Sequence, residues 1–119
     1  MAGQCPILVV EDDRDVREAL VEVLRAEGYL PFAAGDGEEA LAQLESGLEP
    51  CVILLDLMMP RMNGWQFMDE QRQRESRTPV IVVSAYDTPE RMRGIGANEY
   101  MRKPVDIDAL LELVARYCE

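Results

Sequence analysis

Short apolar runs, separated by segments with helical patterns, constrain the fold of this chain more than any other feature. Four such runs occupy residues 7–10, 30–33, 51–55 and 80–83, and a weaker one occupies 99–102. The runs at 7–10, 51–55 and 80–83 lack the alternation of half-exposed strands, which is typical of parallel strands buried on both faces. They predict the inner strands of a parallel sheet.

The segments between these runs carry helical signals. Apolar residues at 16, 19, 20, 23 and 24 share one helical face, and further helices are predicted to begin near residues 36, 64, 88 and 106 from capping residues and Gly or Pro at their starts. Residues 107, 110, 111 and 114 are expected to face inward. Because Gly94 and Gly96 interrupt the fourth helix, we expect it to be short. Five strands alternating with five helices predict one α/β domain over residues 1–119, with a right-handed, doubly wound parallel sheet.

Net charge narrows the classes of partner. With 23 acidic and 12 basic residues the chain carries a formal charge of −11, which disfavours nucleic acid and anionic membrane surfaces. No apolar run approaches the length of about 20 residues that a membrane span needs, and the first residues do not resemble a secretion signal. We expect a cytoplasmic protein.

Cysteine and histidine content restricts the chemistry further. Cys5, Cys51 and Cys118 are far apart in the sequence and are expected to be reduced, mostly buried thiols. The chain has no histidine, so imidazole-based catalytic triads and histidine-ligated metals are excluded.

Polar side chains follow four of the predicted strands. Glu11 and Asp12 follow the first, Asp56 the third, Ser84 the fourth and Lys103, the single lysine, the fifth. In open parallel sheets these carboxyl ends form the functional crevice. A single aspartate there is often only a helix or turn cap, but three neighbouring carboxylates require a cation. Mg²⁺ can bind these carboxylates together with a phosphoryl oxygen, and Lys103 supplies a further positive charge nearby. The cluster therefore predicts a phosphoryl-transfer site.

Four segments carry a resemblance to a known family. They are ILVVEDD from residue 7, LLDLMMPRMNG from 54, VVSA from 82 and YMRKP from 100. In this order and on these elements they resemble the receiver domain of bacterial response regulators, over essentially the whole chain. The resemblance implies a five-stranded flavodoxin-like sheet of order 2-1-3-4-5.

The resemblance also implies a function in two-component signalling or a phosphorelay. Asp56 would accept a phosphoryl group from a phosphohistidine on a sensor kinase or a histidine phosphotransfer protein. Such a domain is not an enzyme in the usual sense, because it catalyses only its own phosphorylation and dephosphorylation.

Roles for the other site residues follow from the same resemblance. The Mg²⁺ ligands would be Asp12, Asp56, the backbone carbonyl of Met58 and, directly or through water, Glu11. Lys103 would pair with Asp56 and then with the phosphoryl oxygens, and the Pro104 peptide is commonly cis in the family. Asp13 is expected to cap the first helix instead of binding metal.

Two further pairs of residues concern the output. Ser84 would donate its hydroxyl to the phosphoryl group, and Tyr100 would turn inward in response. Downstream proteins would then bind the face formed by the fourth helix, fifth strand and fifth helix. The 19 steps from Ser84 to Lys103 are fewer than usual, which supports a shortened fourth helix. Met58 and Tyr86 flank the expected path of attacking water, and neither orients it well, so we expect a long-lived phosphoryl group.

Three other functions compete with a phosphoacceptor role for a chain of this pattern. A haloacid-dehalogenase-like Mg²⁺-dependent phosphatase needs a second aspartate at the position of Met58. A flavodoxin-like cofactor binder needs a loop rich in glycine or hydroxyl groups after the first strand, and the acidic residues 11–13 would repel the phosphate of its cofactor. A degenerate receiver acting as a phosphorylation-independent interaction module would be distinguished by a failure to bind Mg²⁺. The methionines near Pro60 are expected to pack the loop. The kinase, the target, the oligomeric state and whether the domain is free-standing stay open.

Overall fold

The computed structural model describes residues 5–59, 61–85, 94 and 96–118. The elements are β1 (Pro6–Val10), α1 (Arg14–Ala26), β2 (Leu30–Ala34), α2 (Gly37–Glu45), β3 (Val52–Leu55), α3 (Gly64–Gln73), β4 (Val80–Ser84), β5 (Glu99–Arg102) and α4 (Ile107–Tyr117). The helix α4 is the fifth of the predicted helices. The predicted fourth helix begins near residue 88 and is interrupted at Gly94 and Gly96; apart from these two glycines, its residues lie outside the described residues, so its predicted shortening is not tested.

The five strands form one sheet in the order β2-β1-β3-β4-β5, and every pairing is parallel. This confirms the predicted fold class. Val10 pairs with Leu55 and Ser84 pairs with Arg102, so the carboxyl ends of the strands lie along the same edge. The residues that follow these strands are therefore brought together, which is what positions the candidate site.

Side chains of the inner strands divide between two apolar cores. Leu8 and Val10 pack on the side of α2 and α3, with Phe67 and Met68 of α3. The alternate residues of β1 contribute to the other core, which also contains Leu20 and Leu24 of α1 and Leu110 and Val114 of α4. Because β1, β3 and β4 are covered on both sides, their uninterrupted apolar runs are explained.

Local capping signals are confirmed. The side chains of Asp13, Asp36, Asn63 and Asp106 accept backbone N–H groups at the starts of the four helices. Asn63 also forms a reciprocal capping box with Gln66. The caps at Asp13, Asp36 and Asp106 depend on residues within one turn, which is why the sequence alone predicted them, whereas the sequence predicted the start of α3 from Gly64 and not from Asn63.

Two side-chain placements correct the sequence predictions. Ile107, expected to face inward, is 37% exposed because it is the first residue of α4, at the open end of the helix. Met58, expected to pack the loop, is 56% exposed, whereas Met59 is buried and Met62 packs against the core. The loop after β3 therefore packs Met59 and Met62 against the core and leaves Met58 at the surface.

The cysteine prediction is wrong for two of the three residues. Cys5 and Cys51 form a disulfide with Cα atoms 6.0 Å apart, and Cys118 is a buried free thiol. Although 46 residues separate Cys5 from Cys51, they directly precede the adjacent strands β1 and β3. Sequence distance concealed this contact, which the pairing of β1 with β3 produces.

Candidate functional site

Two buried carboxylates stand at the carboxyl ends of β1 and β3. Glu11 is 2% exposed and Asp56 is 6% exposed. Their backbones extend the sheet, since the Glu11 N–H donates to the carbonyl of Ala34 at 3.0 Å and the Asp56 N–H donates to that of Val10 at 2.9 Å. The sheet therefore fixes both side chains at the edge where its strands end.

Lys103 joins these two carboxylates. Its Nζ lies 2.7 Å from Oε1 of Glu11 and 3.5 Å from Oδ2 of Asp56. The Lys103 backbone N–H donates to the carbonyl of Ser84 at 3.0 Å, and the following peptide to Pro104 is cis. The end of β5 thus holds the ammonium group between residues that are 92 and 47 positions earlier in the chain.

Burial and charge shift the titration of this cluster. Removal of Glu11 from water, reinforced by the charge of Asp56, raises the pKa of Glu11 to about 7 despite the opposing hydrogen bonds from Lys103 and the Asp13 N–H. The pKa of Lys103 is also raised: burial opposes this change, but the hydrogen bond to Glu11 and the charge of Asp56 outweigh it. Lys103 is therefore a permanent cation at neutral pH, while Glu11 is poised near its midpoint.

Asp12 completes a group of three carboxylates. One oxygen each from Glu11, Asp12 and Asp56 lie within 4.8 Å of one another, and Asp12 is the exposed member. Such hard oxygen donors on one open edge have the chemistry that Mg²⁺ requires. The Met58 N–H donates to Oδ1 of Asp56 at 3.3 Å, which brings the Met58 backbone to the same place.

The neighbouring acid Asp13 has a different role. Its Oδ1 accepts the N–H groups of Asp15 at 3.0 Å and Val16 at 3.2 Å, so it caps α1 as predicted. Its own N–H donates to Oε2 of Glu11 at 3.1 Å. The two oxygens of Glu11 are thereby held by Lys103 on one side and by the start of α1 on the other.

The predicted switch residues lie at the adjoining strands. Ser84 is fully buried at the end of β4, and Tyr100 on β5 is 36% exposed. Tyr86 lies outside the described residues. Ser84 is therefore at the edge that carries the carboxylates, while Tyr100 opens toward solvent; the switching roles of both stay predictions.

Sequence reasoning missed two arginines that support the site. Nη1 of Arg17 donates to the carbonyl of Glu11 at 2.9 Å and to that of Asp12 at 3.4 Å. Arg61, in the left-handed region at φ 57°, pairs with the buried carboxylate of Asp36 and thereby ties the loop after β3 to the start of α2. The position of Arg17, one turn into the first helix, was the only local sign that it could reach the backbone of Glu11 and Asp12. No local pattern indicated that Arg61 would pair with Asp36.

Comparison with known proteins addresses the family directly. Residues 7–115 match the family model described as the response regulator receiver domain. The chain belongs to this family. That confirms the resemblance and identifies the chain as a receiver domain of two-component response regulators, which are signalling domains and not enzymes of the usual kind.

Curated relatives of this receiver domain are longer proteins. Response regulator MprA of Mycobacterium ulcerans is 42% identical over 113 residues, which are 92% of this chain and 47% of that protein. Regulatory protein AtoC of Escherichia coli is 37% identical over 113 residues, covering 92% of this chain and 24% of that protein. The receiver domain therefore spans about half or less of the length of these relatives.

Solved structures of similar length show the same architecture. Chemotaxis protein CheY4 of Vibrio cholerae has a TM-score of 0.87 at 28% identity, covering 96% of this chain and 98% of that one. Response regulator TrrA of Thermotoga maritima, solved in complex with Mg²⁺ and BeF, has a TM-score of 0.85 at 34% identity and covers 96% and 99%. The fold is therefore that of CheY-like receivers.

Within the part of the chain that the structure describes, no helix combines the length and apolar character needed to cross a bilayer.

Proposed function

We propose that this receiver domain, taken as a single unit over residues 1–119, is a phosphoacceptor whose nucleophile is Asp56. One observation carries the proposal: a buried aspartate lies 3.5 Å from a lysine ammonium and within 4.8 Å of two other carboxylates at the open edge of a parallel sheet. This arrangement suits acceptance of a phosphoryl group, because such transfer depends on positioning and charge neutralisation. The proposed donor is a phosphohistidine on a sensor kinase or a histidine phosphotransfer protein.

Each contact around Asp56 has a defined part in the transfer. The Met58 N–H holds Oδ1, and Lys103 approaches Oδ2, so the carboxylate is oriented before the donor arrives. Its oxygen forms the new bond to phosphorus while the bond to the histidine nitrogen breaks. Lys103 then forms an ion pair with the phosphoryl oxygens, and the Ser84 hydroxyl donates a hydrogen bond to one of them.

We propose Mg²⁺ as the cofactor, held by Asp12, Asp56, the Met58 carbonyl and Glu11, the last directly or through water. The donor set fits, because it offers three carboxylates and a carbonyl and no nitrogen or sulfur ligand. When bound, the ion neutralises charge on the reacting oxygens. TrrA, which was solved with Mg²⁺ and BeF, supports this assignment by similarity.

Partner binding is the proposed output. Phosphorylation would draw the Ser84 hydroxyl toward the phosphoryl oxygens and vacate space for Tyr100, which biases a two-state change at the face formed by the predicted fourth helix, β5 and α4. The formal charge of −11 favours a protein as the direct partner, without nucleic acid or membrane contact, and a cytoplasmic location is proposed.

Mass spectrometry after incubation with acetyl phosphate and Mg²⁺ tests the nucleophile. The wild type should gain one phosphoryl group, and Asp56→Asn should gain none. A full label in Asp56→Asn would refute the assignment.

Titration calorimetry with Mg²⁺ tests the metal site, and the chain offers a matched control. Asp12→Asn should bind Mg²⁺ more weakly than the wild type, because a proposed ligand is removed. Asp13→Asn removes the same charge from the adjacent position but keeps the helix cap, since asparagine caps as well as aspartate. Equal losses in both variants would show that net charge, and not coordination by Asp12, governs binding.

The lifetime of the phosphoryl group gives a separate test. The exposed side chain of Met58 offers no group that orients water, so dephosphorylation should be slow for a receiver. Met58→Asn combined with Tyr86→Glu should accelerate it, measured on the purified phosphoprotein. An unchanged or slower rate would show that these positions do not control access of water.

A further inference from the structure

All three cysteines of the chain meet at the amino end of the sheet, opposite the acidic site. Cys5 directly precedes β1, Cys51 directly precedes β3, and Cys118 directly follows α4. The three sulfur atoms lie within 4.8 Å of one another. A disulfide and a free thiol are therefore in reach of each other, although Cys118 is 113 residues from Cys5.

The surroundings distinguish the three sulfurs. Cys5 and Cys118 are buried in the apolar core shared by α1 and α4, whereas Cys51 is only partly buried. Sγ of Cys5 lies 3.7 Å from the carbonyl oxygen of Cys118. Cys5 is thus the sulfur packed against the end of α4, and Cys51 is the member most open to water.

We propose that Cys5, Cys51 and Cys118 form a thiol–disulfide exchange site that releases Cys51 for mixed-disulfide formation with low-molecular-weight disulfides of the glutathione class. The Cys118 thiolate attacks Sγ of Cys5, and a Cys5–Cys118 bond forms as the Cys5–Cys51 bond breaks. The electron pair leaves on Sγ of Cys51, which takes up the proton that Cys118 gave to water. The number of disulfides and thiols is unchanged, so this step needs no oxidant.

Exposure determines the direction of the second step. Thiol–disulfide exchange is faster when the attacking sulfur is an accessible thiolate. Cys51 is the member most open to water, so its released thiolate is accessible to a small disulfide. It attacks one sulfur of the small disulfide, a Cys51–thiol mixed disulfide forms, and the other half leaves as a thiolate. Cys118 is buried, so a disulfide in solvent does not reach it directly, whereas the sulfur of Cys5 lies within 4.8 Å of it.

Peptide mapping of the oxidised wild-type protein provides the test. The three cysteines lie in different tryptic peptides, residues 1–14, 26–61 and 117–119, so every linkage is identified without ambiguity. The protein is incubated with glutathione disulfide, quenched with acid, alkylated under denaturing conditions and digested at mildly acidic pH. We expect a Cys5–Cys118 linkage together with glutathione on Cys51.

Variants separate exchange from direct modification. Cys118→Ser and Cys118→Ala should both lose glutathione from Cys51, because nothing then opens the disulfide. Cys51→Ser should form the Cys5–Cys118 linkage on oxidation, which shows that the two buried sulfurs reach each other. The proposal is overturned if the wild type retains only Cys5–Cys51, if glutathione appears on Cys118 instead of Cys51, or if Cys51→Ser forms no intramolecular linkage. Each of these outcomes leaves the phosphoacceptor proposal for Asp56 unaffected.

Discussion

Removal of the Lys103 charge gives the sharpest test of the electrostatics described above. Lys103→Met keeps a side chain of similar length but leaves Glu11 and Asp56 buried without the ammonium that lies 2.7 and 3.5 Å from them. At an effective dielectric of about 20, Coulomb's law gives attractions of about 6 and about 5 kcal/mol at these distances. Desolvation offsets much of this, and loss of one partner of a buried ion pair costs about 3–5 kcal/mol. We expect a loss in that range near pH 8.

The loss should depend on pH in a defined direction. Glu11 has a folded-state pKa of about 7 against an ordinary value near 4.5, so its burial penalises the folded state above the folded pKa, and this penalty disappears as the pH falls toward 4.5. Without Lys103 the pKa of Glu11 rises further, and the carboxyl becomes neutral at higher pH. Lys103 stays protonated in the wild type throughout this window, because its pKa is raised above 10.5. The difference between variant and wild type should therefore shrink by at least about 1 kcal/mol between about pH 8 and about pH 5.5.

Urea denaturation followed by far-UV circular dichroism measures both quantities. Arg14→Met is the matched control, since it also removes a cation from an ion pair, here with Glu18 at 3.0 Å, but both side chains are more than half exposed. Its cost should stay below about 1 kcal/mol and show little dependence on pH. Equal losses for Lys103→Met at both pH values would refute the reasoning, because an uncompensated carboxylate must be relieved by protonation.

Two further predictions concern the loop that follows β3. Arg61→Gln should lower the midpoint of urea denaturation, because the carboxylate of Asp36 is buried and loses its charged donor; Arg61→Lys should recover part of this loss, and equal midpoints for the two variants would show that charge is irrelevant there. Gly64→Ala should destabilise the protein more than the exposed control Gly94→Ala, because a Cβ at 64 would lie 2.7 Å from the Leu57 Cα, whereas a Cβ at 94 would meet no atom of the described residues within 4 Å. Equal midpoints for these two variants would contradict that packing.

Much of the fold could be predicted because its signals are local. The strand at Glu99–Arg102 and the caps Asp13 and Asp106 each depend on residues within a few positions, and the structure has them where the sequence indicated. The meeting of Glu11 with Asp56 was also predictable, because it follows from the rule that carboxyl ends of parallel strands share an edge.

Contacts between distant segments outside that rule could not be predicted. The disulfide between Cys5 and Cys51 joins the amino ends of two strands, where the sequence carried no motif and free thiols were expected. The pairing of Arg61 with Asp36 spans 25 residues and depends on a left-handed backbone at a residue that is not glycine. Such contacts are consequences of how packed elements meet, and no pattern within either segment specifies them.

The charge of the site explains why the same residues both weaken the fold and suit phosphoryl acceptance. Among the described residues, this edge of the sheet brings three carboxylates beside the ammonium of Lys103, and Arg17 donates to the backbone carbonyls of Glu11 and Asp12. Burial, with a smaller contribution from the charge of Asp56, raises the pKa of Glu11 in this cluster. A phosphoryl dianion would be repelled from such an edge unless a cation compensates it, and oxygen donors without nitrogen or sulfur select a hard divalent ion for that purpose. The sheet thus holds like charges together, and in the proposed function a divalent cation bound by these carboxylates would reduce their mutual repulsion.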